Sequence, residues 1–180
     1  MLIQSDYGQI ELVNELAYTF KSTDNVRLYS FSKQLDNKYG STSIHGILLN
    51  GDPIAVFGDA GGCSGIHAHS ALLHDGLLFL AVGRHIVCLK PMPFEFLWAV
   101  QTDTATCFGV HYSKPNRALI SHGELEIARF SESGKLLWSA SGKDIFSEGI
   151  DLRLEFIEVK DFNLEVYHID YPNGKIRSQK

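Results

Sequence analysis

A glycine turn that leads into a leucine-tryptophan pair recurs in this chain at a spacing of 40 residues. Gly134 opens the best-defined copy, which closes on Trp138. Trp98 lies 40 positions before Trp138, and Gly174 lies 40 positions after Gly134. Repeats of about 40 residues built from short strands are typical of small sheets, each of which must stack on its neighbours to bury both faces.

Short apolar runs separated by turn residues fill residues 44–176, and they predict strands joined as hairpins. Asn50-Gly51 is one such turn, because this dipeptide accepts the positive backbone angles of a tight hairpin. Aromatic residues make up 11% of the 180 residues, which also favours strands. We therefore predict a mainly β chain of antiparallel meander repeats, about four units over 44–176, arranged as a small propeller-like, stacked-sheet or sandwich structure with little helix.

The first 43 residues are predicted to form an N-terminal hairpin or helix followed by a loop, within a single domain of residues 1–180. Residues 10–20 fit either a helical face or an alternating strand. The turn residues 22–25 between two β-type runs favour a hairpin over 17–31. Residues 36–43 are predicted to be a loop and residues 177–180 a tail. Any helix is expected within the first 25 residues or within 66–73.

The repeat units resemble those of the quinoprotein-like (PQQ-type) β-propellers over roughly residues 44–176. In that family a strand leads through a glycine turn into leucine-tryptophan. Residues 129–138 match this pattern, residues 167–176 match it without the tryptophan, and residues 88–98 match it without the glycine. The resemblance implies stacked sheets in which Trp98 and Trp138 pack one unit on the next. It does not imply the quinone cofactor, because the binding residues for that group have no counterpart here.

Charge and composition exclude several classes of function. The formal net charge is −5 and no segment concentrates Lys and Arg, so a nucleic-acid-binding surface is not expected. No signal-peptide pattern and no apolar run of membrane-spanning length is present, which predicts a cytoplasmic protein without a membrane association. The odd number and wide spacing of Cys63, Cys88 and Cys107 favour reduced thiols over disulfides.

The pair His67-x-His69 is the sequence feature that points most directly to chemistry. If this segment is extended, both imidazoles lie on one face, close enough to bind one divalent metal such as zinc. A third ligand would come from elsewhere in the chain, and the candidates are His45, Asp59, His74, His111 and His122. The other interpretation of the pair is a structural, hydrogen-bonding role.

Gly61-x-Cys63-x-Gly65 has the spacing of a nucleophile elbow with cysteine in place of serine. That chemistry needs a strand before the turn and a helix after it, with His168 and a later acid such as Asp151 or Asp161 as partners. The scarcity of helical periodicity after residue 77 argues against such a fold.

Three functions follow from these observations. The first is a non-catalytic binding module without a cofactor, which docks on another protein or on a second copy of the chain, because no complete catalytic set is visible. The second is a metal-binding protein or metal-dependent hydrolase centred on His67 and His69. The third is a thiol hydrolase with Cys63 as nucleophile.

Overall fold

The structure is a computed structural model that describes residues 1–36 and 38–177. The predicted tail therefore lies outside the described residues except for Arg177, and so does Asn37 of the predicted loop. Within these ranges the chain forms sixteen strands in four sheets and no helix. The prediction of a mainly β fold with short, largely antiparallel strands is confirmed.

The first sheet has the strand order β1-β2-β4-β5-β3. Its strands are β1 (Leu2–Ser5), β2 (Gly8–Asn14), β3 (Phe31–Gln34), β4 (Ser43–Leu49) and β5 (Asp52–Asp59). All neighbours are antiparallel except β3, which pairs with β5 in parallel. Residues 2–14, which the sequence set apart from the repeats, therefore pair directly with them.

The other three sheets are simple meanders in chain order. The second contains β6 (Ala71–His74), β7 (Leu77–Val82), β8 (His85–Lys90) and β9 (Glu95–Gln101). The third contains β10 (Cys107–Ser113), β11 (Ala118–Gly123), β12 (Glu126–Phe130) and β13 (Leu136–Ser141). The fourth contains β14 (Ile150–Leu152), β15 (Ile157–Lys160) and β16 (Val166–Ile169), and an isolated bridge joins Ile169 to Ile176.

The second sheet is buried on both faces, which explains why β7 is apolar throughout. Leu78, Leu80 and Val82 point towards the first sheet, whereas Phe79 and Ala81 point towards the third. Successive side chains of a strand point to opposite faces, so an uninterrupted apolar run marks a strand between two layers. Each fully buried side chain of this size contributes about 1.5–3 kcal/mol.

The third and fourth sheets are packed together in the same way. Ile120 and Ile127 of the third sheet share a buried cluster with Ile157 and Ile169 of the fourth. The four sheets therefore stack face to face in chain order, which is the propeller-like, stacked-sheet arrangement predicted from the 40-residue repeat.

The outer face of the first sheet is covered by residues 15–30, which contain no strand. Tyr29 and Phe20 lie over Gly46 and Gly58 of that sheet. Glu15 fixes the segment by accepting a hydrogen bond of 2.5 Å from the Tyr29 hydroxyl. The hairpin predicted for residues 17–31 does not form, because these aromatic side chains pack on the sheet instead of pairing with each other's backbone; the N-terminal hairpin is β1–β2.

Two buried aspartates tie the first sheet to the second and the second sheet to the third. Asp103 follows β9, and its carboxylate accepts the amides of Ala105 and Thr106 at one oxygen and those of Leu125 and Glu126 at the other, at 2.6–3.0 Å. Asp59, at the end of β5, accepts the Arg84 amide at 2.7 Å and bonds the His85 imidazole at 2.8 Å. Each aspartate thus holds the turn between the second and third strands of the following sheet.

A histidine-lined cleft

Four histidines meet in one cleft between the third and fourth sheets. His67 and His69 come from the connection between β5 and β6, His111 from β10 and His122 from β11. The cleft has a volume of about 370 Å³, and the rest of its lining is Phe108, Ser147, Gly149 and Ile150. We refer to it as the histidine cleft.

Strand register places His111 and His122 on the side of the fourth sheet. His111 pairs with Ile120 across β10 and β11, and His122 lies two residues after Ile120 on the same strand. Residues paired across two strands, and residues two apart along one strand, share a face. Ile120 packs against the fourth sheet, so both imidazoles point to the same side.

The connection that carries His67 and His69 is docked on the edge of β10. The Val110 amide donates to the His69 carbonyl at 2.9 Å. Gly109 makes this approach possible, since a Cβ at that position would lie 2.7 Å from the His69 carbonyl oxygen. The segment is irregular rather than extended, because β6 begins only at Ala71; the two rings are nevertheless neighbours, with centroids 6.2 Å apart.

Burial keeps the inner histidines neutral. Burial, together with the neighbouring imidazoles of His69 and His122, lowers the pKa of His111 to about 3. Burial also lowers the pKa of His122, although a hydrogen bond to the Phe146 carbonyl opposes the shift. At neutral pH these rings are therefore uncharged, and each keeps one nitrogen with a free lone pair.

The remaining candidate metal ligands lie elsewhere. His45 is buried in the first sheet, 3.3 Å from the Ser64 hydroxyl. The carboxylate of Asp59 holds the Arg84 turn, as described above. His74 stacks on Tyr112 with centroids 3.8 Å apart. Of the five proposed third ligands, the fold brings only His111 and His122 to the His67-His69 pair.

One further group of potential ligands lies outside the cleft. Its members are His74, Asp75 and Glu132. Within residues 1–36 and 38–177, these are the one set of three His, Cys, Asp or Glu side chains whose ligand atoms all lie within 4.8 Å of one another. Asp75 and Glu132 are exposed. Sequence analysis did not identify this group, because Glu132 is distant in sequence from the other two residues.

Cys63 lies on the surface, and the surrounding structure is not that of a nucleophile elbow. The strand before it is present as β5, but residues 66–70 form an irregular connection and residues 71–74 a strand, so no helix follows. His168, the proposed base, instead lies 3.3 Å from Glu158 on the fourth sheet. The other two thiols, Cys88 and Cys107, are buried, and burial raises the pKa of each to about 12.

Fold and cleft together define a propeller-like stack of small antiparallel sheets with a histidine-lined cleft. No family model matches the chain, and no curated protein matches it by sequence. Twenty-seven chains of solved structures do match. One of them is the crystal structure of BamB from Moraxella catarrhalis, with 15% sequence identity and a TM-score of 0.49. The match covers 76% of this chain and 44% of that one, so this chain spans less than half of its length.

Among the described residues, none belongs to a helix that is long and apolar enough to cross a membrane.

Proposed function

We propose that this protein is a non-catalytic binding module that docks on another protein through residues 15–30. The observation that supports this most directly is the exposure of apolar side chains on that segment. Val26 is 98% exposed, Leu16 71% and Leu28 67%. Single exposed apolar residues are ordinary, but several on one ordered segment mark a surface for a partner.

The segment presents these side chains from a fixed backbone. Glu15 binds both the Tyr29 hydroxyl and the Arg27 guanidinium, the latter at 2.7 Å. These bonds bring the two ends of the segment together and thereby place Leu16 and Leu28 in neighbouring stretches of chain. A surface that is ordered before binding loses less conformational entropy when a partner docks.

Charge favours a different protein over a second copy of this chain. Each copy carries a formal net charge of −5, so two copies repel each other at long range. A partner with an apolar groove and a basic rim would complement the surface. The cytoplasm, where the thiols stay reduced, is the compartment we propose for this encounter.

The test compares two doubly substituted proteins with equal changes in charge. Leu16→Asp/Leu28→Asp alters the proposed surface. Leu154→Asp/Leu164→Asp is the matched control, because Leu154 and Leu164 are 71% and 67% exposed but lie in the turns between the strands of the fourth sheet. A protein cross-linked to the wild type in cells is purified, and its affinity for all three forms is measured by calorimetry.

We expect the first variant to bind at least about tenfold more weakly, a loss of about 1.4 kcal/mol, and the control to bind as the wild type does. Equal affinity for all three forms would refute the docking surface. Sedimentation of the wild type as a dimer that the first variant abolishes would assign the surface to a second copy. A turnover that requires His67 and His69 would refute the non-catalytic assignment.

A further inference from the structure

The four histidines of the cleft differ in which ring nitrogens are free. His67 uses both of its nitrogens: Nε2 donates to the Phe108 carbonyl at 2.7 Å, and Nδ1 accepts the His69 amide at 3.2 Å. A carbonyl oxygen can only accept, so the proton of His67 is on Nε2. His67 therefore holds the loop in place and has no lone pair to offer to a ligand.

His122 is arranged differently. Its Nε2 donates to the Phe146 carbonyl at 2.9 Å, which leaves the lone pair on Nδ1. A metal-binding histidine characteristically donates its other ring N–H to a backbone carbonyl or carboxylate, which fixes the tautomer and the orientation of the ring. The Phe146 carbonyl plays this supporting part for His122.

His69 and His111 have unused nitrogens. Nε2 of His111 is buried and has no hydrogen-bond partner. Its neighbour His69 is exposed, and in the described part of the chain its backbone N–H and carbonyl take part in hydrogen bonds but its ring does not. A buried nitrogen without a partner costs free energy, and a bound cation would remove that cost.

The spacing of the rings suits a single small cation. Imidazoles that share a tetrahedral zinc ion have ring centroids about 5 Å apart, given Zn–N bonds of about 2.0–2.1 Å. The His69 and His111 centroids are 4.7 Å apart, and those of His111 and His122 are 6.2 Å apart. The first distance is close to the ideal value, whereas the rings of His111 and His122 would have to approach each other by about 1 Å, so side-chain rotation of His122 as well as of the exposed His69 would complete the site.

We propose that His69, His111 and His122 bind one zinc ion in the histidine cleft, with the fourth position open to water or to a side chain of a partner. Three imidazoles suit zinc and neighbouring divalent transition metals better than they suit calcium or magnesium, which prefer oxygen ligands. His67 is a positioning residue in this site. The proposal is independent of the docking surface on residues 15–30.

The test measures zinc binding to untagged protein that has first been treated with a chelator. Calorimetry gives the stoichiometry and affinity, and cobalt in place of zinc gives the visible absorption of a tetrahedral nitrogen site. The variants are His69→Ala, His111→Gln and His122→Gln. His74→Gln is the matched control, since it removes a histidine from the other cluster of potential ligands.

We expect one zinc ion per chain, and affinity lowered by at least about tenfold in each of the three variants but unchanged in His74→Gln. His69 is exposed, so His69→Ala remains informative even if a substitution in the interior prevents folding. The absence of zinc binding by the wild type, unaltered binding by His69→Ala, or loss of binding only in His74→Gln would each overturn the proposal.

Discussion

Trp138 lies against Gly174, and its indole Nε1 donates a hydrogen bond of 2.8 Å to the carbonyl oxygen of Tyr171. The same arrangement occurs 40 residues earlier, where Trp98 lies against Gly134 and donates to Glu132 at 2.9 Å. In both cases a tryptophan on the last strand of one sheet docks on the glycine turn of the next sheet. The repeat visible in the sequence is therefore the contact that joins consecutive sheets.

Alanine at Gly134 is expected to lower the free energy of unfolding by about 2–5 kcal/mol. Gly134 has a φ of +80°, which costs an alanine about 1–2 kcal/mol, and an added Cβ would lie 2.6 Å from the Trp98 ring, an overpacking that costs about 1–3 kcal/mol more. Gly51→Ala is the control, because Gly51 also has a positive φ but has open space around it. Urea denaturation that finds equal losses for the two variants would show that the tryptophan contact adds nothing.

Replacing Asp103 by alanine is expected to cost about 3 kcal/mol or more of stability, since hydrogen bonds to a charged group are worth about 1.5–3 kcal/mol each and several backbone amides would lose their partner. Asp75→Asn removes an exposed negative charge while it keeps a residue type that tolerates the positive φ of this turn, and it should change stability by less than about 0.5 kcal/mol. Chemical denaturation measures both variants. A loss for Asp103→Ala no larger than that for Asp75→Asn would contradict the proposed structural role.

Acid is expected to destabilise the protein through His45. Burial lowers the pKa of His45 to about 4 from an ordinary value of 6.5, so the unfolded chain takes up a proton in a range where the folded chain does not. The contribution of the neutral His45 to the free energy of unfolding is therefore present above pH 6.5 and is lost as the pH falls towards 4. The loss between pH 7 and pH 5 is about 2 kcal/mol.

The decrease in unfolding free energy from pH 7 to pH 5 should be smaller in His45→Gln than in the wild type by that amount. Urea denaturation of metal-free protein at both pH values measures this difference, and carboxylates that titrate in both proteins cancel in the comparison. Identical pH dependence in the wild type and His45→Gln would refute the prediction.

Thiol titration distinguishes the exposed cysteine from the two buried ones. Cys63 is exposed, whereas Cys88 and Cys107 are buried with raised pKa values. Because only the accessible thiolate reacts, a disulfide reagent at neutral pH should modify one thiol in the native protein and three after denaturation. Cys63→Ser should abolish the native reaction. Rapid reaction of two or three native thiols would contradict the burial.

Much of the fold was predictable because it follows from local patterns. Alternating or continuous apolar runs mark strands, and Asn-Gly or glycine-containing turns join them, so the pairs β4–β5, β7–β8, β11–β12 and β12–β13 could be anticipated. The strand β6 lies in a segment for which a helix had been left open, and β10 was not predicted. The N-terminal region could not, since residues 15–30 take their conformation from the packing of Tyr29 and Phe20 on the first sheet. Local preference had favoured a hairpin there.

The histidine cleft was predictable only in part. The short spacing of His67 and His69 pointed to the connection between β5 and β6, which does contribute to the cleft. No local pattern distinguishes His111 and His122 from the other proposed third ligands. The aspartates that clamp the turns were missed as a set. Asp59 and Asp103 occupy equivalent places in successive sheets, and a comparison of acidic residues across the 40-residue repeat could have found them.

Local sequence patterns specify most of the strands, their turns and the repeat, because backbone geometry and the two faces of a strand impose a short period on the side chains. Which histidines meet, and which of their nitrogens stay free, follows from tertiary contacts. These contacts are the register of the strands and the stacking of the third and fourth sheets, which bring together residues between positions 67 and 150. The tautomers of His67 and His122 also depend on the backbone carbonyl oxygens of Phe108 and Phe146, and a local sequence pattern does not reveal that these oxygens lie beside the two rings.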